Sequence, residues 1–257
     1  MSDFAPVKIY YWGGMFGRAA ALIRILEEAG APYEVISDFM PLGLFSAFGA
    51  DATDNFAPPL IVDGDECISQ STACAMHVGN KHGLNKGIAN PTKAVQFMAN
   101  LVDLFEIGIA GAQGKGGAAL KAFLEGDRLP KIMGNIERSI QGPFYFGVSP
   151  TYVDFLLCHF MDWHYTILLQ RLKDEKGVDV FGKYAKISAA VAGIRGLASY
   201  VNYKGGLVIA NDNFKAKDEL FAEYNKAGNS IRENNFNINI PVQFSVARSN
   251  LLIKLVK

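Results

Sequence analysis

Pro58 to Ala73 reads PPLIVDGDECISQSTA, and several local signals follow one another within it. Leu60-Ile61-Val62 is a short β-branched run, Asp63-Gly64 a turn, and Glu66 to Ile68 a return strand. Ser71 then opens a stretch to Lys81 that reads as a helix. Upstream, Val7 to Trp12 (VKIYYW) reads as a strand ending at Gly13-Gly14, and Tyr33 to Ile36 as a second. Between them, Arg18 to Ala29 places Ala19, Leu22, Ile23 and Leu26 on one helical face before Gly30. The order strand, helix, strand, loop, strand, strand, helix describes a small α/β domain.

Downstream of Asn90 the pattern is helical only. Val95, Met98, Val102, Phe105 and Ile109 fall at three- and four-residue steps, one stripe of a long predicted helix. The Gly-rich residues 108–117 end it, and a second helix is predicted over roughly 118–140. Thr151-Tyr152-Val153-Asp154 is a capping-box-like start before the apolar run Phe155 to Leu157. Residues 180–204 read as two more short helices. With 83–90 (GLNKGIAN) as linker, the chain divides into an α/β domain over 1–84, an all-α domain over 85–206 and a C-terminal extension over 207–257. In Phe236 to Val246 (FNINIPVQFSV) apolar and polar residues alternate strictly, which predicts a strand over 236–246, with Pro241 favouring a sheet edge.

Composition narrows the function classes. Half of the 257 residues are hydrophobic and 19% are charged, which excludes a disordered chain. Lys+Arg and Asp+Glu are both 25, so the basic excess typical of nucleic-acid binders is missing. The longest apolar stretch, Phe155 to Leu169, is interrupted by His159, Asp162 and His164 and is short of a membrane span. The opening MSDFAPVK has neither a basic nor an apolar signal region, so no secretory leader is expected, and the chain reads as cytoplasmic. Three cysteines without C-x-x-C spacing predict no disulfide framework or zinc site, and Cys67 and Cys74 read as small buried hydrophobes. His77 with His82, and His159 with His164, lie five apart, not at metal-binding steps, so no metal is expected. Gly108 to Gly117 (GIAGAQGKGG) is not a phosphate loop: no Ser or Thr follows Lys115, and a helix precedes it.

An α/β domain joined to an all-α domain resembles a cytosolic glutathione transferase of tyrosine type, and five ordered motifs carry the resemblance. Lys8 to Trp12 followed by Gly17-Arg18 resembles the family's first strand and helix, the Tyr11-Trp12 pair resembling the mu class in particular and the chain as a whole the mu and sigma patterns. Pro58 to Gly64 resembles the stretch from the family's cis-proline to its Asp-Gly turn, and Gln70-Ser71 its glutathione-binding helix start. Gly142-Pro143-Phe144 with Ser149 to Phe155 resembles its interior capping motif, and Phe181 to Tyr184 with Leu197 to Tyr203 its closing helices. The resemblance implies a thioredoxin-like domain followed by a helical bundle. It implies transfer of the glutathione thiolate to small hydrophobic electrophiles by a homodimer, with glutathione as co-substrate and no cofactor.

The implied chemistry is small in magnitude. A thiol has a pKa of about 8.5, and bringing it near 7 takes about 2 kcal/mol. One hydrogen bond to a charged group supplies about 1.5–3 kcal/mol, so a single hydroxyl suffices. Tyr11 matches the family's hydroxyl, although strand alternation allows only one of Tyr10 and Tyr11 to face the cleft. The intervening Gly13 to Gly17 holds no Cys or Ser, which argues against cysteine- and serine-type relatives. The same resemblance assigns glutathione contacts to Trp12, Arg18, Ala57, Pro58, Gln70, Ser71 and, toward a partner subunit, Asp103. In it, Ala57 pairs with the cysteinyl backbone like an added strand beside a cis peptide at Pro58, and the helix start at Ser71 receives the γ-glutamyl carboxylate. Met15, Phe16 and the helix around Phe105 to Ile109 are expected to line the electrophile pocket.

One departure is visible. The family places a Trp, Lys or Arg before the cis-proline to meet the glycine carboxylate, whereas residues 37–57 contain no basic residue, three aspartates (Asp38, Asp51, Asp54) and an apolar, aromatic run. The other function this allows is a non-catalytic binding module that acts through protein partners, with the C-terminal extension as its contact.

Overall fold

A computed structural model describes residues 5–12, 17–113, 115–164, 170–202 and 222–226. The predicted strand at 236–246 and the pocket residues Met15 and Phe16 lie outside the described residues.

The first half comprises β1 (Val7–Tyr10), α1 (Ala20–Ala29), β2 (Tyr33–Ile36), β3 (Leu60–Asp63), β4 (Glu66–Ser69) and α2 (Ser71–Lys81). The four strands form one sheet in the order β2-β1-β3-β4. β1 is parallel to β2 and antiparallel to β3, which is antiparallel to β4. Tyr10 pairs with both Ile36 and Leu60, and Leu60 with Ser69. One end of the sheet therefore presents, side by side, the start of the 37–57 loop, Tyr11, Pro58-Pro59 and Gln70. This is the thioredoxin-like half that the sequence predicts.

The second half is helical. α3 (Pro91–Val102) runs on through a π-helical stretch, Asp103–Ala110, and a last α turn, Gly111–Gln113. There follow α4 (Gly117–Glu125), α5 (Arg128–Ser139), α6 (Tyr152–His164), α7 (Gln170–Lys176), α8 (Ala185–Arg195) and α9 (Ala198–Asn202). The single helix expected over roughly 118–140 is thus two, broken at Gly126-Asp127. The expected stripe on α3 also shifts. Val95 is 47% exposed, while Ala94, Phe97, Met98 and Leu101 are buried. The wider π turns then bring the adjacent Leu104 and Phe105 both inside.

The two halves share one apolar core, running from Ile9, Leu22 and Ile25 through Val78 to Leu101 and Leu156. α1 lies against both α2 and α6. The close approach of α2 to α6 occurs at Gly79, where a Cβ would come 2.5 Å from the Tyr152 ring. The capping motif before α6 works through Asp154: the Thr151 N–H and Oγ1 both donate to Oδ2 at 2.8 Å, and the Tyr145 N–H donates to Oδ1 at 2.8 Å. Burial outweighs these three bonds and pushes the Asp154 carboxyl up to about 6. No described helix is long and apolar enough to cross a membrane. Cys74 and Cys158 are buried and their thiols are pushed up by burial to about 12, but Cys67, on an edge strand, is exposed, contrary to expectation.

Candidate functional site

Tyr11 follows the last residue of β1, and alternation sends it and Tyr10 to different places. Tyr10 packs beside Phe39, Phe45 and Leu60, a small second core. Tyr11 is 5% exposed and turns toward the start of α1, where the Arg18 N–H donates to its hydroxyl oxygen at 2.8 Å. Only glycine at position 17 permits this, because a Cβ there would stand 2.1 Å from that oxygen. With the oxygen used as an acceptor, the hydroxyl hydrogen is not consumed by this bond. Burial is the main cause that raises the Tyr11 phenol above its ordinary value, so the group is a hydroxyl donor at neutral pH and not a phenolate.

Arg18 acts on Tyr11 through its backbone. Its side chain instead crosses to the helical half and meets Glu106 of the π-helical stretch at 2.7 Å. Nothing local in the sequence marks Glu106, since the pair is 88 positions apart. π-helical turns are uncommon and recur at functional sites.

At the other side of the sheet end, Gln70 has φ 73 and ψ 124 and is the only non-glycine residue with positive φ among the described residues. Such backbone costs about 1–3 kcal/mol and is kept where the surroundings enforce it, commonly at binding sites. Gln70 occupies the N-cap position of α2 with no side-chain cap, so Ser71 is the first helical residue and not an ordinary cap. The first N–H groups of α2 face the cleft end with the positive pole of the helix behind them.

The cis peptide is one residue later than expected, between Pro58 and Pro59. The residue before it is therefore Pro58 and not Ala57, because the four-residue step from Pro59 to the Asp63-Gly64 turn sets the register. Trp12 is 37% exposed and stands edge-on to Tyr11, Phe39 and Phe48, with ring centres 5.2, 5.4 and 6.4 Å away. Asp103 is apart from this group. It is exposed and borders a groove of about 290 Å³ with Asn100, Arg128 and Lys131, between α3 and α5. Phe105 and Ile109 are fully buried, so they do not line an open pocket; Phe105 stacks on Phe160 at 5.1 Å. Among the described residues no group of His, Cys, Asp and Glu is arranged to hold a metal ion.

The architecture has solved counterparts. A pi-class glutathione S-transferase of Onchocerca volvulus is 19% identical, with a TM-score of 0.58 over 77% of this chain and 92% of that one. The fold is that of a glutathione transferase. Monomeric Na-GST-3, a glutathione S-transferase of the hookworm Necator americanus, gives 0.57 at 19% identity over 77% and 95% of the two chains. Prostaglandin synthase D of Nilaparvata lugens gives 0.55 at 17% identity over 77% and 96%. Residues 109–204 match the family described as glutathione S-transferase, C-terminal domain. No curated protein matches the sequence. In this transferase fold, Tyr11, Pro58-Pro59 and Gln70-Ser71 share one end of the sheet.

Proposed function

We propose that the chain is a glutathione transferase of tyrosine type, closest to the mu and sigma patterns, joining the glutathione thiolate to small hydrophobic electrophiles. The observation that carries this reading is the hydrogen bond from the Arg18 N–H to the Tyr11 hydroxyl, which leaves the hydroxyl hydrogen to be donated to a sulphur. The γ-glutamyl carboxylate binds at the N-terminus of α2, at Gln70 and Ser71, with the cysteinyl unit lying past Pro58 toward Tyr11. The thiolate is stabilised by the Tyr11 O–H, worth about 1.5–3 kcal/mol, and attacks an electrophile held against the helical half. Glutathione is a co-substrate and no other cofactor takes part. The protein works in the cytoplasm as a homodimer in which Asp103, exposed at the start of the π-helical stretch, reaches the partner's glutathione.

Titration of glutathione, following thiolate absorbance, tests this. A thiolate signal near neutral pH that disappears in Tyr11→Phe is expected. Full retention of the signal in Tyr11→Phe removes Tyr11 from the chemistry. The reading as a partner-binding module, favoured by the base-free 37–57 loop, takes over if glutathione produces no signal and no protection against thermal unfolding. Light scattering that reports a monomer removes the role of Asp103.

A further inference from the structure

The order of elements along the sheet end dictates what a bound thiol peptide meets. Ser71 follows β4, Pro58-Pro59 precede β3, Tyr11 follows β1, and the 37–57 loop follows β2. Neighbouring strands are about 4.8 Å apart, so α2 and Tyr11 stand about 10 Å apart, two strands across, the reach of an extended γ-glutamyl-cysteinyl unit. A peptide with its carboxylate at Ser71 and its sulphur at Tyr11 therefore directs its third residue over the 37–57 loop. Trp12 and Phe48 form that margin, and Phe48 is 47% exposed.

The loop at this margin carries charge of one sign. Between residues 37 and 57 the chain has no Lys or Arg and three Asp. Asp38, Asp51 and Asp54 are exposed, and none is in an ion pair among the described residues. Arg18, just before α1, is committed to Glu106. Of the bases flanking the acidic stretch, Lys81 is held by Asp63 at 2.5 Å. A free carboxylate on the third residue would meet aromatic rings and like charge.

We propose that the thiol co-substrate of this site is a γ-glutamyl-cysteinyl peptide whose C-terminal end is uncharged or cationic, such as an amide, an ester or an amine conjugate of glutathione. The inference rests on the glutathione-binding reading above. At the cleft end nearest α2, the free N–H groups select an anion; at the end nearest Phe48, the aromatic and acidic wall rejects one. The same peptide is thus accepted with one carboxylate and discriminated against for the second.

Calorimetric titration of the full chain with glutathione, glutathione glycine ethyl ester and glutathione amide tests the proposal. At low salt both neutral-ended peptides are expected to bind about fivefold or more tightly than glutathione, the effect of one unfavourable charge contact. The gap should narrow at high salt, as screening weakens the repulsion. Phe48→Lys, which places a cation beside Trp12, should reverse the order in favour of glutathione. Glutathione binding as tightly as its ester, or more tightly, overturns the inference and leaves the transferase reading intact. Failure of all three peptides to bind overturns both.

Discussion

Two arginines, Arg24 on α1 and Arg18 just before it, cross to the helical half, and they illustrate what burial does to an ion pair. Arg24 is buried, and its guanidinium meets Asp162 at 2.8 Å, both side chains being 9% exposed. Asp162 also takes two bonds from Arg195, at 2.9 and 2.6 Å, and one from the Tyr200 hydroxyl at 2.6 Å. Arg18, six positions earlier, meets Glu106 with its own side chain 47% exposed. The first pair lies in the shared core, where an unmatched charge is costly; the second borders the cleft, where solvent screens it. The Arg24 pair therefore joins the halves, whereas the Arg18 pair adds little to stability and sits beside the Tyr11 hydroxyl.

The largest effect belongs to Asp162→Ala. It leaves two guanidinium groups facing each other and should lower unfolding free energy by about 3–5 kcal/mol in denaturant titration. A loss under about 1 kcal/mol would erase the contrast with Arg18-Glu106.

Asp154 sharpens the comparison from the other side, being buried on the same helix with three hydrogen-bond donors and, among the described residues, no cation as partner. Its folded value, pushed up to about 6, lies above that of an unfolded aspartate, about 3.9. The folded state then binds this proton more tightly, so the Asp154 contribution to stability is fully present below about pH 4 and is lost as pH rises from about 4 to about 6, by up to about 3 kcal/mol. Asp154→Asn should lack this slope when unfolding is followed across that range.

Tyr11→Phe is expected to cost about 1.5–3 kcal/mol of thiolate stabilisation, a fall of roughly 10- to 150-fold in conjugation rate, read by steady-state assay. The smallest effect is that of Glu106→Gln. Unfolding should change by less than about 1 kcal/mol, and the difference should vanish at high salt. A larger loss would mean that the cleft pair is as buried as the core pair.

The strands, α1, α2 and the Thr151 cap were legible because their signals are local: β-branched runs, turns and caps act over a few residues. The stripe on α3 was only partly placed: Met98, Phe105 and Ile109 are buried as expected, but starting the count at Val95 passes over Ala94, Phe97 and Leu101, and a π-helical stretch departs from the 3.6-residue period. The cleft end was legible as a set of motifs. Its register was not, since two consecutive prolines leave local pattern unable to say which carries the cis bond. The burial of Phe105 and Ile109 and the exposure of Cys67 depend on neighbours distant in sequence.

By itself, the sequence determined the two-part architecture, the positions of Tyr11 and Gln70-Ser71 at element ends, and the absence of Lys and Arg between residues 24 and 81. Only the tertiary structure decided that Arg18 reaches Tyr11 through its N–H and Glu106 through its side chain. The same holds for the meeting of Arg24, Asp162, Arg195 and Tyr200 at one carboxylate. Local propensity acts over one or two turns of chain, whereas ion pairs between segments 33 to 138 positions apart exist only once the shared core has brought α1 and α8 against α6.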